Sequence, residues 1–157
     1  AGHDPAGYWL TRPRPGDGRR GDRSTIPTVG MQVVNGAMTQ CSMGIAPGTL
    51  NVLPTNRTMA GGQQAANIMD KKPILNVTPF SLCNSLMNPI TASQTAAALG
   101  VLTPGTCSPT LPAPWAPGSP TVLVANAPAL KDSCICTCAY GGVIQITMPG
   151  QFTVQIP

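Results

Sequence analysis

CAYGGVIQITMPGQFTVQIP, residues 138–157, decides the fold class. Val143 to Met148 (VIQITM) and Phe152 to Ile156 (FTVQI) alternate apolar and polar side chains, so each reads as a strand with one dry and one wet face. Gly141-Gly142 and Pro149-Gly150 supply the turns that bound them. The same pattern recurs upstream. Met31 to Asn35, Thr49 to Leu53, Pro73 to Val77 and Thr121 to Ala125 are short extended segments flanked by Asn-Gly, Pro or Gly turn signals. Thr91 to Leu102 (TASQTAAALGVL) is the one stretch with helical composition, with a compact surface loop as its alternative.

Composition agrees with that reading. Gly (17) and Pro (18) crowd a chain of 157 residues, charged residues are 9%, and Glu is absent, so long solvated helices laced with ion pairs are not expected. The expected fold class is all-β: many short strands joined by Pro/Gly-rich loops, in one domain over residues 31–157. Thr103 to Pro120 carries Pro104, Pro109, Pro112, Pro114, Pro117 and Pro120, a stiff, turn-rich segment with Trp115 as its only large apolar anchor.

Residues 1–30 read differently. TRPRPGDGRRGDRS (residues 11–24) is a Pro/Gly/Arg run without periodicity, expected to be a flexible leader or an arm that orders against a partner through Tyr8 and Trp9. The net charge of +4 is split between this leader and the body and forms no dense basic stripe, so a nucleic-acid partner is not expected. No stretch approaches the ~20 apolar residues of a membrane span, and no secretory signal is visible.

The thiols carry the most chemistry. All six cysteines and no histidine lie in residues 31–157; Cys41, Cys83 and Cys107 each stand beside Ser or Asn, and Cys138 stands three residues before Gly141, so all four read as loop thiols. Four thiolates that converge make a closed tetrahedral zinc site, structural because no position is left open; four that do not converge are disulfides or core residues. Cys134, Cys136 and Cys138 alternate in CICTC, so an extended backbone points all three one way. Enzymatic readings fare poorly: Asp70 and Asp132 are the only acids of the body, and no histidine is there to activate a thiol. Asp70 reads as a turn cap or a surface partner, and the scattered methionines as gap-fillers of a small core. Two internal echoes are visible: LNVLPTNRTM (50–59) against VLVANAPALK (122–131), and CSMG (41–44) against CAYG (138–141).

NGAMTQCSMG, DKKPILNVTPFSLC, TCSPTLPAPW and CAYGGVIQITMPGQ, in that order and with a thiol in each, resemble the PAAR-like proteins of bacterial contractile injection systems, among them type VI secretion and phage-tail-like particles. The resemblance spans most of residues 31–157. It implies a small conical β structure that caps and sharpens a trimeric spike protein, one copy per spike, assembled in the bacterial cytoplasm. It also implies transient contact with a target membrane and, in many cases, attached effector or cargo proteins. The wider family holds a metal, usually zinc, through three histidines and a cysteine; here the matching loops place Cys41, Cys83, Cys107 and Cys138 as an all-thiolate set. For the spike-docking base the expectation is the C-terminal strands, Val143, Ile144, Ile146, Phe152, Val154 and Ile156, through unpaired edges. The alternatives are a disulfide-stabilised secreted β domain and a cargo adaptor working through the N-terminal arm.

Overall fold

The computed structural model describes residues 29–157, so the expectations for the leader, Tyr8, Trp9 and His3 included, lie outside the described residues. Among the described residues the chain is all-β with a single α-helix: the strands are short and arranged in small sheets, and no barrel forms. One four-stranded antiparallel sheet has the order β10 (Ile135–Thr137), β11 (Val143–Met148), β2 (Ala37–Cys41), β3 (Gly48–Leu50). Its middle strand β11 matches the predicted VIQITM in both bounds. Ile144 sits opposite Cys41 on one side and Cys136 on the other, so these three form one buried row across the sheet. A bulge between Ile146 and Met148 breaks the register, and Thr147 Oγ1 donates to the Met38 carbonyl there.

Strand β2 alternates more strictly than β11, with Ala37, Thr39 and Cys41 buried and Met38 and Gln40 exposed, whereas β11 loses its alternation at the bulge, where Thr147 and Met148 are both exposed. Its sequence, AMTQC, lacks β-branched residues at four of five positions, so propensity gave no hint of it. Pro73 to Val77 is not a strand. Ile74 stands at φ 67 and its amide donates to the Val77 carbonyl, which makes the segment a tight turn with Ile74 and Leu75 facing out. The helix α1 is Pro89–Ala97, two residues earlier than its composition suggests, because Asn88 caps it: the side-chain carbonyl accepts from the Ile90 amide at 3.0 Å, with Pro89 at the first helical position.

The larger core packs Trp115, Phe80, Leu50, Leu130 and Ile144 with five of the six thiols. Each fully buried side chain of this size contributes about 2 kcal/mol relative to exposure. Trp115 anchors the Pro-rich segment as expected, donating from Nε1 to the Asp70 carbonyl at 3.1 Å. Asp70 is itself buried, which corrects the surface reading: its Oδ2 accepts from the Asn67 amide and from Asn56 Nδ2, both at 2.9 Å. Met38, Met59, Met69, Met87 and Met148 are exposed, so they do not fill core gaps.

Candidate functional site

Three segments adopt the same backbone course. Gly30–Gly36, Gln63–Met69 and Ala127–Ser133 each run as two strand residues, a bridge, a free residue, a second bridge and a turn. The strand residues are β1 (Gly30–Met31), β5 (Gln63–Gln64) and β9 (Ala127–Pro128). Each pairs with a two-residue partner: β12 (Gln155–Ile156), β4 (Met59–Ala60) and β8 (Leu123–Val124). Two of these hairpins close through two-residue turns with positive φ at both positions, Gly61-Gly62 (58 and 82) and Ala125-Asn126 (51 and 63). The third is closed by no turn at all: it joins the first described strand to the last.

The three units lock into a ring. Val33 donates its amide to the Leu130 carbonyl (2.9 Å), Leu130 to Ala66 (3.0 Å) and Ala66 to Val33 (2.9 Å), each from one unit to the equivalent position of the next. A second set closes the ring in the opposite sense: Asn35 donates to Gln64 (2.8 Å), Ile68 to Pro128 (3.0 Å) and Asp132 to Met31 (3.0 Å). The bridges Val34–Ala65, Asn67–Ala129 and Lys131–Gln32 follow the same cyclic rule. The result is a pseudo-three-fold axis through Val33, Ala66 and Leu130, all of them fully buried. Ile156, Ala60 and Val124, equivalent on the three partner strands, form one core layer with Val34, Ala65 and Ala129. Their neighbours Gln155, Met59 and Leu123 are the equivalent exposed positions. Side chains break the symmetry: Gln32 stands where the other units have Ala65 and Ala129, and its Nε2 donates to the Val33 and Ala66 carbonyls at 2.8 and 2.9 Å, while the equivalent positions Val34, Asn67 and Lys131 differ in polarity and charge.

The ring revises the docking expectation. Strand β11 is paired on both sides, so Val143, Ile144 and Ile146 present no free edge, and Ile144 is fully buried. Ile156 is buried in the ring layer and Val154 packs against it, while Phe152 is exposed. The C-terminal segment therefore contributes to the ring as one third of it, through β12. The CSMG and CAYG echo holds in the structure, because Gly44 and Gly141 each donate to the carbonyl of the cysteine three residues before, at 3.0 Å. The other echo is out of register, since Met59 is equivalent to Leu123.

Strands β2 and β10 both leave the ring and run parallel to one another on either side of β11, delivering Cys41 and Cys138 to the same end. Leu82–Cys83 (β6) and Gly105–Thr106 (β7) pair there, with Gly44 bridged to Cys83 and the Cys107 amide donating to Ser81. All six cysteines are free thiols. Burial pushes the Cys41 thiol up, backbone amides at Met43 and Gly44 oppose that, and Cys138 and Cys83 add a like-charge push. Cys107 is likewise raised by burial first, with Cys83, Cys41 and Cys138 all acting on it. Cys41 and Cys107 thus lie within electrostatic range of each other and of both Cys83 and Cys138. Cys134, raised by burial, answers instead to Lys131 and Asp132, and the Cys136 thiol donates to the Ala113 carbonyl at 3.4 Å.

Zinc fits this set in donor chemistry and in grouping but not in placement. Among the described residues no three His, Cys, Asp or Glu side chains stand where they can hold a metal ion. As packed, the thiols act as small apolar side chains of the core.

A family model described as "Domain of unknown function (DUF4280)" matches residues 33–151, which takes in the axis residues, all six cysteines and β11. No curated protein and no solved structure matches the chain.

Proposed function

The chain belongs to the DUF4280 family, and on that premise we propose that it is a PAAR-like spike-tip protein that caps the trimeric spike of a bacterial contractile injection system. The observation that carries this reading is the closed ring of amide bonds among Val33, Ala66 and Leu130. A single chain that folds three similar units around one axis offers a true three-fold partner nearly the same surface three times. One copy then terminates a trimer with a related contact to each of the three subunits. The resemblance carried by NGAMTQCSMG, TCSPTLPAPW and CAYGGVIQITMPGQ supports the same partner.

In this proposal the ring end docks on the spike and the thiol end leads. The protein works by docking and by mechanical transmission of force, without catalysis, after assembly in the bacterial cytoplasm. Met59, Leu123 and Gln155, at equivalent exposed positions, and Phe152 form the docking set. Structural zinc at Cys41, Cys83, Cys107 and Cys138 belongs to the proposal on one condition, that the sulfurs draw in to bonds of ~2.3 Å. Metal analysis of the purified protein tests that element separately: one equivalent of zinc, released by denaturation, supports it, and none removes it. The disulfide-stabilised alternative has no support from the six free thiols.

The decisive experiment mixes the full chain with the trimeric spike protein and measures the complex by native mass spectrometry. One copy per trimer is expected, and a Met59→Asp, Leu123→Asp variant that still folds should lose the complex. Three copies per trimer, or no complex, would sink the reading.

A further inference from the structure

Every charged side chain of the described residues sits in the ring or on its immediate flanks: Arg57 before β4, Asp70, Lys71 and Lys72 after the second unit, and Lys131 and Asp132 in the third. Residues 73–130 contain no Asp, Glu, Lys, Arg or His. Within that run α1 and the loop that follows it form a finger at the thiol end, tied down where the Thr91 hydroxyl donates to the Cys83 carbonyl (2.8 Å) and accepts from the Gly105 amide (3.1 Å). The far end of the finger exposes Leu99, Val101 and Leu102, at 97%, 68% and 51% of their surface.

The geometry of that far end is specific. The Gly100 amide donates to Thr95 (2.9 Å) and the Leu99 amide to Ala96 (3.2 Å), which is the Schellman pattern of helix termination. The residue that must take the left-handed conformation in this motif is ordinarily glycine, yet here it is Leu99, at φ 56. A strained leucine held almost wholly in solvent gains nothing for the fold and points to a use for the side chain.

We propose that this finger inserts its aliphatic tip into the hydrocarbon of a lipid bilayer. The finger carries no ion to desolvate, and that removes the main penalty for entering hydrocarbon. Its tip also lacks the Trp, Tyr and Arg anchors that dominate protein interfaces, where Leu and Val contribute less than their share. The described residues hold no helix long enough to span a membrane, so the insertion is shallow. The inference deepens the spike-tip reading by naming the surface that meets the target membrane, and it rests on that reading for which end leads.

The test is flotation of the full chain with vesicles of zwitterionic phosphatidylcholine at low and high salt. The wild type is expected to float at both. A Leu99→Asp, Val101→Asp variant should bind on the order of a hundredfold less, about tenfold per side chain withdrawn from hydrocarbon. Its fold is preserved, because these side chains are exposed and Asp tolerates the left-handed region. In a Leu102→Trp variant the added fluorescence should be quenched by lipids brominated on the acyl chains. Failure of the wild type to float overturns the proposal. So does equal flotation of the double variant, or flotation that requires anionic lipid and disappears in salt. Spike binding by the same double variant separates the two readings: intact binding with lost flotation upholds the finger, and lost flotation in the ring variant Met59→Asp, Leu123→Asp would assign the lipid contact to the wrong end.

Discussion

Gly142 faces the sulfur of Cys41 so closely that a Cβ built on it stands 2.6 Å from Sγ. The contact arises because the turn after Cys138 folds back over β2, with the Cys138 amide donating to the Gly142 carbonyl at 2.8 Å. Gly142→Ala must displace a buried thiol of the core, at a cost of about 1–3 kcal/mol. Urea denaturation should show the loss, and the double variant Gly142→Ala, Cys41→Ala should recover part of it. An unchanged midpoint for the single variant would mean the turn is looser than described.

Thr39 is fully buried in the middle of β2, and its Oγ1 has no hydrogen-bond partner. The hydroxyl therefore carries its dehydration cost uncompensated. Thr39→Val keeps the shape and the β-branch, and it is expected to raise stability by about 1 kcal/mol, read as a higher thermal midpoint. A lower midpoint would indicate a buried water bound to Oγ1.

Asp70 titrates above the ordinary carboxylate range because burial disfavours its charge, against the opposing pull of the Asn67 amide, Asn56 and Lys72. A raised folded-state value means that this group favours the fold most below the ordinary value of an unfolded aspartate, and that the contribution is lost as pH rises through the folded value. Denaturation midpoints of the wild type against Asp70→Asn across that window should differ in slope, with the variant flatter. Parallel curves would show that Asp70 is not the group responsible.

Leu99 holds a left-handed backbone at the glycine position of a Schellman motif. Leu99→Gly removes the strain of about 1 kcal/mol and no packing contact, so the thermal midpoint should rise even as flotation on vesicles falls. Stabilisation and lost lipid binding in one variant is the expected signature. A destabilised Leu99→Gly protein would show that the side chain is packed and not free.

Much of the fold was legible because side-chain alternation marks it. VIQITM announced β11, Asn88-Pro89 marks the helix start for a reader who weighs caps above composition, and Trp115 announced itself as the anchor of the Pro-rich stretch. Strand β2 was not legible, since Ala, Met and Gln are in a strand only because Ile144 and Leu50 pack beside them. Turn residues near Cys41, Cys83, Cys107 and Cys138 do not say whether the four thiols converge; the fold brings Cys41 and Cys107 within electrostatic range of Cys83 and Cys138, yet among the described residues no three such side chains stand where they can hold a metal ion. The packing around Cys41 depends on Gly142 and Gly44 allowing close approach, which no spacing encodes.

The sequence by itself determined an all-β chain, thiols near turn residues, and a stretch from 73 to 130 without charge, because alternation, turn residues and ionisable groups are properties of each residue. Only the tertiary structure decided the three-fold ring. One of its units is assembled from Gly30–Met31 and Gln155–Ile156, the opposite ends of the described chain. Its closing bonds are made by backbone amides and carbonyls, which every sequence carries alike. A ring built from such groups asks only for small or apolar side chains at its axis, and Val33, Ala66 and Leu130 meet that demand without resembling one another.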